Sequence, residues 1–118
     1  MIIFCDVDNT LLLMSGVNKP LVKRLNQLSE SGDTLILFTA RPKFMIKDAL
    51  FILDKAGLSY DGFILSKFPH SVASKNNFIK QLEGESAIIL IDDEKDIRAC
   101  ATSKGWSAFA PEEFVKRI

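Results

Sequence analysis

Apolar residues come in short unbroken runs separated by longer stretches of helical period. The runs are IIFC at 2–5, TLILF at 34–38, GFILS at 62–66, AIILI at 87–91 and WSAFA at 106–110. Their length and β-branched content predict strands. Between them, apolar positions recur every three or four residues at about 20–31, 42–56, 74–83 and 94–104, and a short amphipathic piece occupies 111–118; these predict helices. Gly32, Gly57, Gly84 and Gly105 each fall just past one of the periodic segments, where a left-handed C-terminal cap is wanted, and Pro20, Pro42 and Pro111 fall near their starts. Strands that are apolar throughout, alternating with helices, predict a parallel sheet covered on both faces. The fold class is therefore α/β, a doubly wound, three-layer, Rossmann-like sheet of about five strands.

Ligands of such sheets bind beyond the carboxyl ends of the strands, at the point where strand order reverses. The residues after each run are of the right kinds. Asp6-Val7-Asp8-Asn9-Thr10 follows the first, Thr39-Ala40-Arg41 the second, a loop with Lys67, His70 and Lys75 the third, and Asp92-Asp93-Glu94-Lys95-Asp96 the fourth. Asp6 and Asp8, two positions apart at a strand end, project to one side while Val7 goes to the other. Like charges so close raise each other's proton affinity, so the pair calls for a cation between them or a proton on one of them. Taken singly, each group has an ordinary reading as well: Thr39 as a helix cap before Pro42, His70 as a surface residue, Arg41 and Lys43 as solvated charges.

Composition narrows the function classes. The chain has 118 residues, enough for one domain with a real core and no need of disulfides. Fifteen basic residues balance fifteen acidic ones, which argues against binding nucleic acid or membrane over the whole surface but leaves room for a local basic patch. No apolar run approaches the roughly 20 residues that span a bilayer, and the N-terminus runs straight into a strand, so a cytoplasmic protein is expected. Cys5 and Cys100 form no CxxC spacing and both sit in apolar segments, as buried free thiols do.

Four elements in chain order resemble the haloacid dehalogenase-like superfamily of phosphotransferases. DVDNT looks like its DxDxT motif, LILFT its strand ending in threonine, a lysine precedes the last motif, and LIDDEKD looks like its acidic metal motif. They span most of the chain, from Ile2 to about Ile97. The resemblance implies that Asp6 is a nucleophile that forms an aspartyl-phosphate, and that Asp8 is the general acid and then the base. It implies Mg²⁺ held by Asp6, by the backbone carbonyl of Asp8 and by Asp93, with Asp92 as a neighbouring or alternate ligand. Thr39, with Ala40 and Arg41 after it, and Lys75 would bind the phosphoryl group. Lys67 competes with Lys75 for the lysine position; Lys75 is preferred because it opens the helix before the last motif. Asp96 would assist the same helix start or simply favour its dipole. Asn9 stands where the family often has glycine, and asparagine tolerates the positive φ of that turn.

Members of the superfamily commonly carry a cap domain after the first or the second motif. About 28 residues separate Thr10 from Thr39 and about 35 separate Thr39 from Lys75, too few for one. An uncapped site would be open to large substrates or closed by a second subunit, and Arg41, Lys43, Lys47, Lys67 and Lys75 could give it a basic rim. The small size and paired acids are similar to the 3′-phosphatase domains of polynucleotide kinases. The expected activity is Mg²⁺-dependent hydrolysis of a phosphomonoester, on a nucleic-acid end, a phosphoprotein or a small ester. The alternative is a binding or regulatory module that keeps the phosphate site without catalysis. Residues 11–19, LLLMSGVNK, are a candidate apolar flap for a second subunit or substrate, or else core.

Overall fold

The computed structural model describes residues 1–41, 43–65, 71–82 and 88–117, and of 71–74 the backbone only. Five parallel strands form the main sheet: β1 (Ile2–Cys5), then, after a short antiparallel pair β2 (Leu12–Leu13) and β3 (Gly16–Val17), β4 (Thr34–Thr39), β5 (Gly62–Leu65), β6 (Ile88–Ile91) and β7 (Ser107–Phe109). Their spatial order is β5-β4-β1-β6-β7. The strand that comes first in the chain is thus central, and the order reverses between β1 and β6. The helices are α1 (Lys19–Glu30), α2 (Ile46–Lys55), α3 (Ser71–Gln81), α4 (Lys95–Ser103) and α5 (Pro111–Lys116).

Strand alternation explains the two apolar layers. Ile3, Cys5, Leu35, Leu37 and Ile91 face one way and pack with Leu21, Val22 and Leu25 of α1, Ile46, Ala49 and Leu53 of α2, and Phe114 of α5. Phe4, Phe38, Ile88 and Leu90 face the other way, against Ile79 of α3 and Ile97 and Ala101 of α4. The second layer is aromatic at its centre. Phe4 stacks on Trp106 at 5.6 Å between centroids and meets Phe38 at 5.8 Å, and Phe38 meets Phe78 at 5.2 Å.

The predicted elements are present, with shifted boundaries. The second strand runs on to Thr39, and the fifth keeps only 107–109. Ser66, Ala87, Gly84, Pro42 and the end of the third predicted helix at residue 83 lie outside the described residues. The second predicted helix starts later than its periodicity suggests, because 43–45 form a 3₁₀ turn before α2. Arg41 accounts for that tight entry: its backbone N–H donates to Thr39 Oγ1 at 3.0 Å and its Nη1 to the Met45 carbonyl at 3.2 Å. The third helix starts earlier than expected, so Lys75 sits in the second turn of α3 and does not open the helix. Among the described residues, 11–33 hold only the hairpin, α1 and short connections; Leu11 is buried and Met14 at the hairpin tip is fully exposed. No helix among the described residues is long and apolar enough to cross a membrane.

Candidate active site

The switch point is where the acids converge. The ladder continues one residue past β1 and β6, with the Asp6 N–H donating to the Ile91 carbonyl at 2.9 Å and the Asp92 N–H to the Phe109 carbonyl at 3.1 Å. Asp6 and Asp92 therefore leave adjacent strands at the same height. Beyond Asp6 the chain turns sharply: the Val7 carbonyl accepts from the N–H groups of Leu11 and Leu12, both at 2.9 Å, and Asn9 takes φ +61°. Asparagine bears that left-handed conformation at lower cost than most residues, which meets the expectation for this position.

Carboxylate oxygens of Asp6, Asp92 and Asp93 lie within 4.8 Å of one another. Between two of them sits Lys75, 2 % exposed, whose Nζ donates to Asp6 Oδ1 at 2.7 Å and to Asp92 Oδ2 at 2.9 Å. The ammonium also lies 5.0 Å from the centroid of Phe38, so the aromatic layer forms its floor. Thr10 is wholly buried; its hydroxyl is 3.1 Å from Asp6 Oδ2 and 3.4 Å from Asp93 Oδ1 and, having one proton, can donate to one of them at a time. Both oxygens of Asp92 are engaged, Oδ2 by Lys75 and Oδ1 by the Glu94 N–H at 3.0 Å. Asp93 is half-buried and has the long Thr10 contact. Of the three acids, Asp93 is the most exposed and has the longest hydrogen-bond contact.

Burial dominates the proton affinities here. It pushes the Asp6 carboxyl well above the usual carboxylate range; Lys75 opposes the shift, and Asp92 and Asp93 add to it. Asp92 is raised by burial too, against the pull of Lys75 and the Glu94 N–H. For Lys75 burial alone would lower the pKa, but Asp6 and Asp92 outweigh it and hold the ammonium protonated above the ordinary lysine value of 10.5. Three acids facing one lysine leave an excess of negative charge in a site mostly closed to water. An all-oxygen donor set with that excess suits a divalent cation, so the Asp cluster could hold a metal ion.

A second pair lies just along the chain. Arg41 grips the Asp8 carboxylate through Nε at 3.1 Å and Nη2 at 2.9 Å, and this hydrogen bonding raises the guanidinium pKa. Thr39, buried at the end of β4, accepts the Arg41 N–H, and half-buried Ala40 lies between them. Of the residues singled out from the sequence, Asp6, Asp92, Asp93 and Lys75 thus meet in one cluster, and Asp8, Arg41 and Thr39 in a linked group. Asp96 is exposed in the first turn of α4. Lys67 and His70 lie outside the described residues. Cys5 is fully buried with its thiol pKa pushed up by burial, and Cys100 is half-buried.

Two contributors were not assigned a role from the sequence. Thr10 was visible as the last residue of DVDNT, but nothing local shows that it ties Asp6 to Asp93. Arg98 donates from Nη1 to the Asp92 carbonyl at 2.9 Å and fixes the loop after β6; an arginine one turn into an amphipathic helix gives no signal of this.

Fold and site together define a class: a doubly wound α/β protein with an acidic cluster and a buried lysine at its switch point. Several solved chains share the fold, and two of them come from Pnkp1/Rnl/Hen1 assemblies. One belongs to the structure of the Pnkp1/Rnl/Hen1 RNA repair complex, with a TM-score of 0.77 and 20% identity over 92% of this chain and 41% of that one. The other, from a structure of the Pnkp1/Rnl/Hen1 complex, gives 0.76 and 20% over 92% of this chain and 44% of that one. The present chain thus spans less than half the length of either neighbour, and at this identity the likeness is one of fold. No family model and no curated protein matches the chain.

Proposed function

We propose that this chain is a Mg²⁺-dependent phosphomonoester hydrolase that works through an aspartyl-phosphate on Asp6. One observation carries the reading: a buried carboxylate at the end of the central strand, clamped by a buried lysine at 2.7 Å, with two further carboxylates within 4.8 Å. Such a cluster is costly to fold and gives little stability in return, which is the usual mark of a functional site. The likeness in fold to chains of an RNA repair complex agrees with phosphate chemistry on a nucleic-acid end.

In this reading Asp6 attacks phosphorus in line with the ester oxygen. The phosphorus–oxygen bond to the leaving group breaks as Asp8 delivers a proton to that oxygen. Water then attacks phosphorus, Asp8 takes up the water's proton, and inorganic phosphate and the free Asp6 carboxylate are regenerated. Asp6, Asp93 and the Asp8 backbone carbonyl would hold the Mg²⁺, with Asp92 beside them; when bound, the ion neutralises charge on the phosphoryl oxygens. Lys75 fixes Asp6 and supplies positive charge against the phosphoryl group, and the Thr39 hydroxyl binds one of its oxygens. Arg41 has two partners in turn: it holds Asp8 in the resting site and exchanges it for a phosphate oxygen when substrate enters, freeing Asp8 to carry its proton.

The test is hydrolysis of 4-nitrophenyl phosphate with Mg²⁺ and with EDTA, for the wild-type chain and Asp6→Asn. Metal-dependent turnover that Asp6→Asn abolishes is the expected result. Turnover that survives Asp6→Asn would assign the chemistry elsewhere. A folded, Mg²⁺-loaded chain with no turnover of aryl, nucleotide or oligonucleotide phosphates would leave the non-catalytic binding module as the reading.

A further inference from the structure

The face of α2 turned away from the core is unusual for a solvated helix. Phe44, in the 3₁₀ turn, is 84% exposed, and Phe51 is 62% exposed. Lys43, Lys47 and Lys55 are exposed with them. Spacings of three and four residues put 44, 47, 51 and 55 on one stripe, and the Lys55 ammonium lies 5.5 Å from the Phe51 centroid. Two acids interrupt the charge. Asp48 lies close enough to Arg41, and Asp54 to Tyr60, to raise the proton affinity of each. From Arg41 to Lys55 there are four cations against two acids, within a chain of zero net charge.

The stripe begins at the site. Arg41, on Asp8, also donates to the carbonyl of Met45, so the turn carrying Phe44 is bonded to the residue expected to meet phosphate. At about 2 Å per residue in the 3₁₀ turn and 1.5 Å in α2, Phe44 and Phe51 stand about 10–12 Å apart along the segment. Aromatic rings at that interval, flanked by lysines and leading to a phosphate site, are the pattern that binds single-stranded nucleic acid: bases stack on the rings and lysines follow the backbone. A protein partner would use the rings but would not need lysines interleaved with them.

We propose that the outer face of the 43–55 segment is a track for a single-stranded polynucleotide whose phosphorylated end enters the Asp6 site. This rests on the phosphatase reading for what happens at the end of the strand, but binding along the track is independent of turnover. Each stacked base is worth a loss of about 5- to 150-fold in affinity when its aromatic partner becomes alanine.

The experiment measures binding of a fluorescently labelled single-stranded RNA of about ten nucleotides with a 3′-hydroxyl end, alongside hydrolysis of 4-nitrophenyl phosphate. Wild type, Phe44→Ala and Phe51→Ala are compared, with sedimentation to report self-association and a thermal melt to confirm folding. The expected result is salt-sensitive RNA binding that each substitution weakens at least about fivefold, with kcat/KM for the aryl phosphate unchanged. RNA binding equal in all three proteins, or absent from all, overturns the track. Self-association that Phe51→Ala abolishes, without RNA binding, also overturns it and gives the face to a second copy of the chain. Ring-dependent RNA binding by a wild-type chain that turns over no phosphate ester upholds the track and refutes the phosphatase reading.

Discussion

Replacing Lys75 with methionine keeps most of the side chain's volume and removes its charge. At an effective dielectric of about 20, each of the contacts at 2.7 and 2.9 Å is worth about 6 kcal/mol of attraction before dehydration is charged against it. Dehydrating the ammonium and two carboxylates offsets several kcal/mol per ion, and breaking a buried pair from one side costs about 3–5 kcal/mol in practice. For a chain of this size that is a fall in Tm of about 10–20 °C. The pH dependence distinguishes loss of the charge from simple damage to packing. Asp6 and Asp92 have folded pKa values above the ordinary 3.8, so the stability they contribute is full below that value and is lost as pH rises through the raised values. Without Lys75 to oppose the shift, the loss is larger and runs to higher pH, so the deficit of Lys75→Met is greatest at neutral pH and shrinks toward pH 4. At the alkaline end wild type loses stability a second time, with the same sign: Lys75, raised above 10.5, contributes stability below that pH, which is lost as it deprotonates through its raised value, and the variant has no such loss. Melts followed by circular dichroism in EDTA, from acid to alkaline pH, give both slopes. A drop in Tm of less than about 3 °C that is constant across pH would refute the electrostatic account.

Other substitutions probe the rest of the site. Asp8→Asn should slow hydrolysis of alkyl phosphates by about 10²–10⁴-fold and of 4-nitrophenyl phosphate far less, since the nitrophenolate leaves without a proton; equal losses on both esters would remove Asp8 from the acid role. Asn9→Ala should cost about 1 kcal/mol and Asn9→Gly close to nothing, because only the backbone at φ +61° is being tested; urea unfolding of both variants measures it. Saturating Mg²⁺ at about 100 times its dissociation constant should stabilise the chain by about 2.7 kcal/mol, and Asp93→Asn should abolish most of that gain; an unchanged melting shift in Asp93→Asn would move the ion elsewhere.

The sheet was legible because its signal is local. The runs at 2–5 and 34–38 are too apolar and too short for anything but buried strands, and the glycines that end the helices at residues 32, 57 and 105 take positive φ as that role requires. The acids after β1 and β6 were legible because strand ends of a parallel sheet put their next residues on one edge. What could not be read depends on contacts between distant segments. The hold of Arg41 on both oxygens of Asp8, Nη2 on Oδ1 and Nε on Oδ2, joins two strand ends, and no feature near either residue foretells it. The same holds for Thr10 and Asp93, and for Arg98 and the Asp92 carbonyl. Helix starts failed for a related reason. The periodicity from residue 42 on is real, but the Arg41 turn diverts the first residues into a 3₁₀ turn, and a side-chain hydrogen bond of that kind overrides a pattern in hydrophobicity.

The central position of β1 bears on how the chain is made. Ile2 pairs with Thr34 on one side and with Ile88 on the other. During synthesis β1 can gain β4 early, but its other edge stays bare until β6 has left the ribosome, a long loop to close and an apolar edge open to wrong partners meanwhile. Lys75 also emerges late, so Asp6 is made long before the cation that makes its burial tolerable. A nascent chain halted before residue 75 can collapse around β1 and β4, but it has every reason to leave that carboxylate in water.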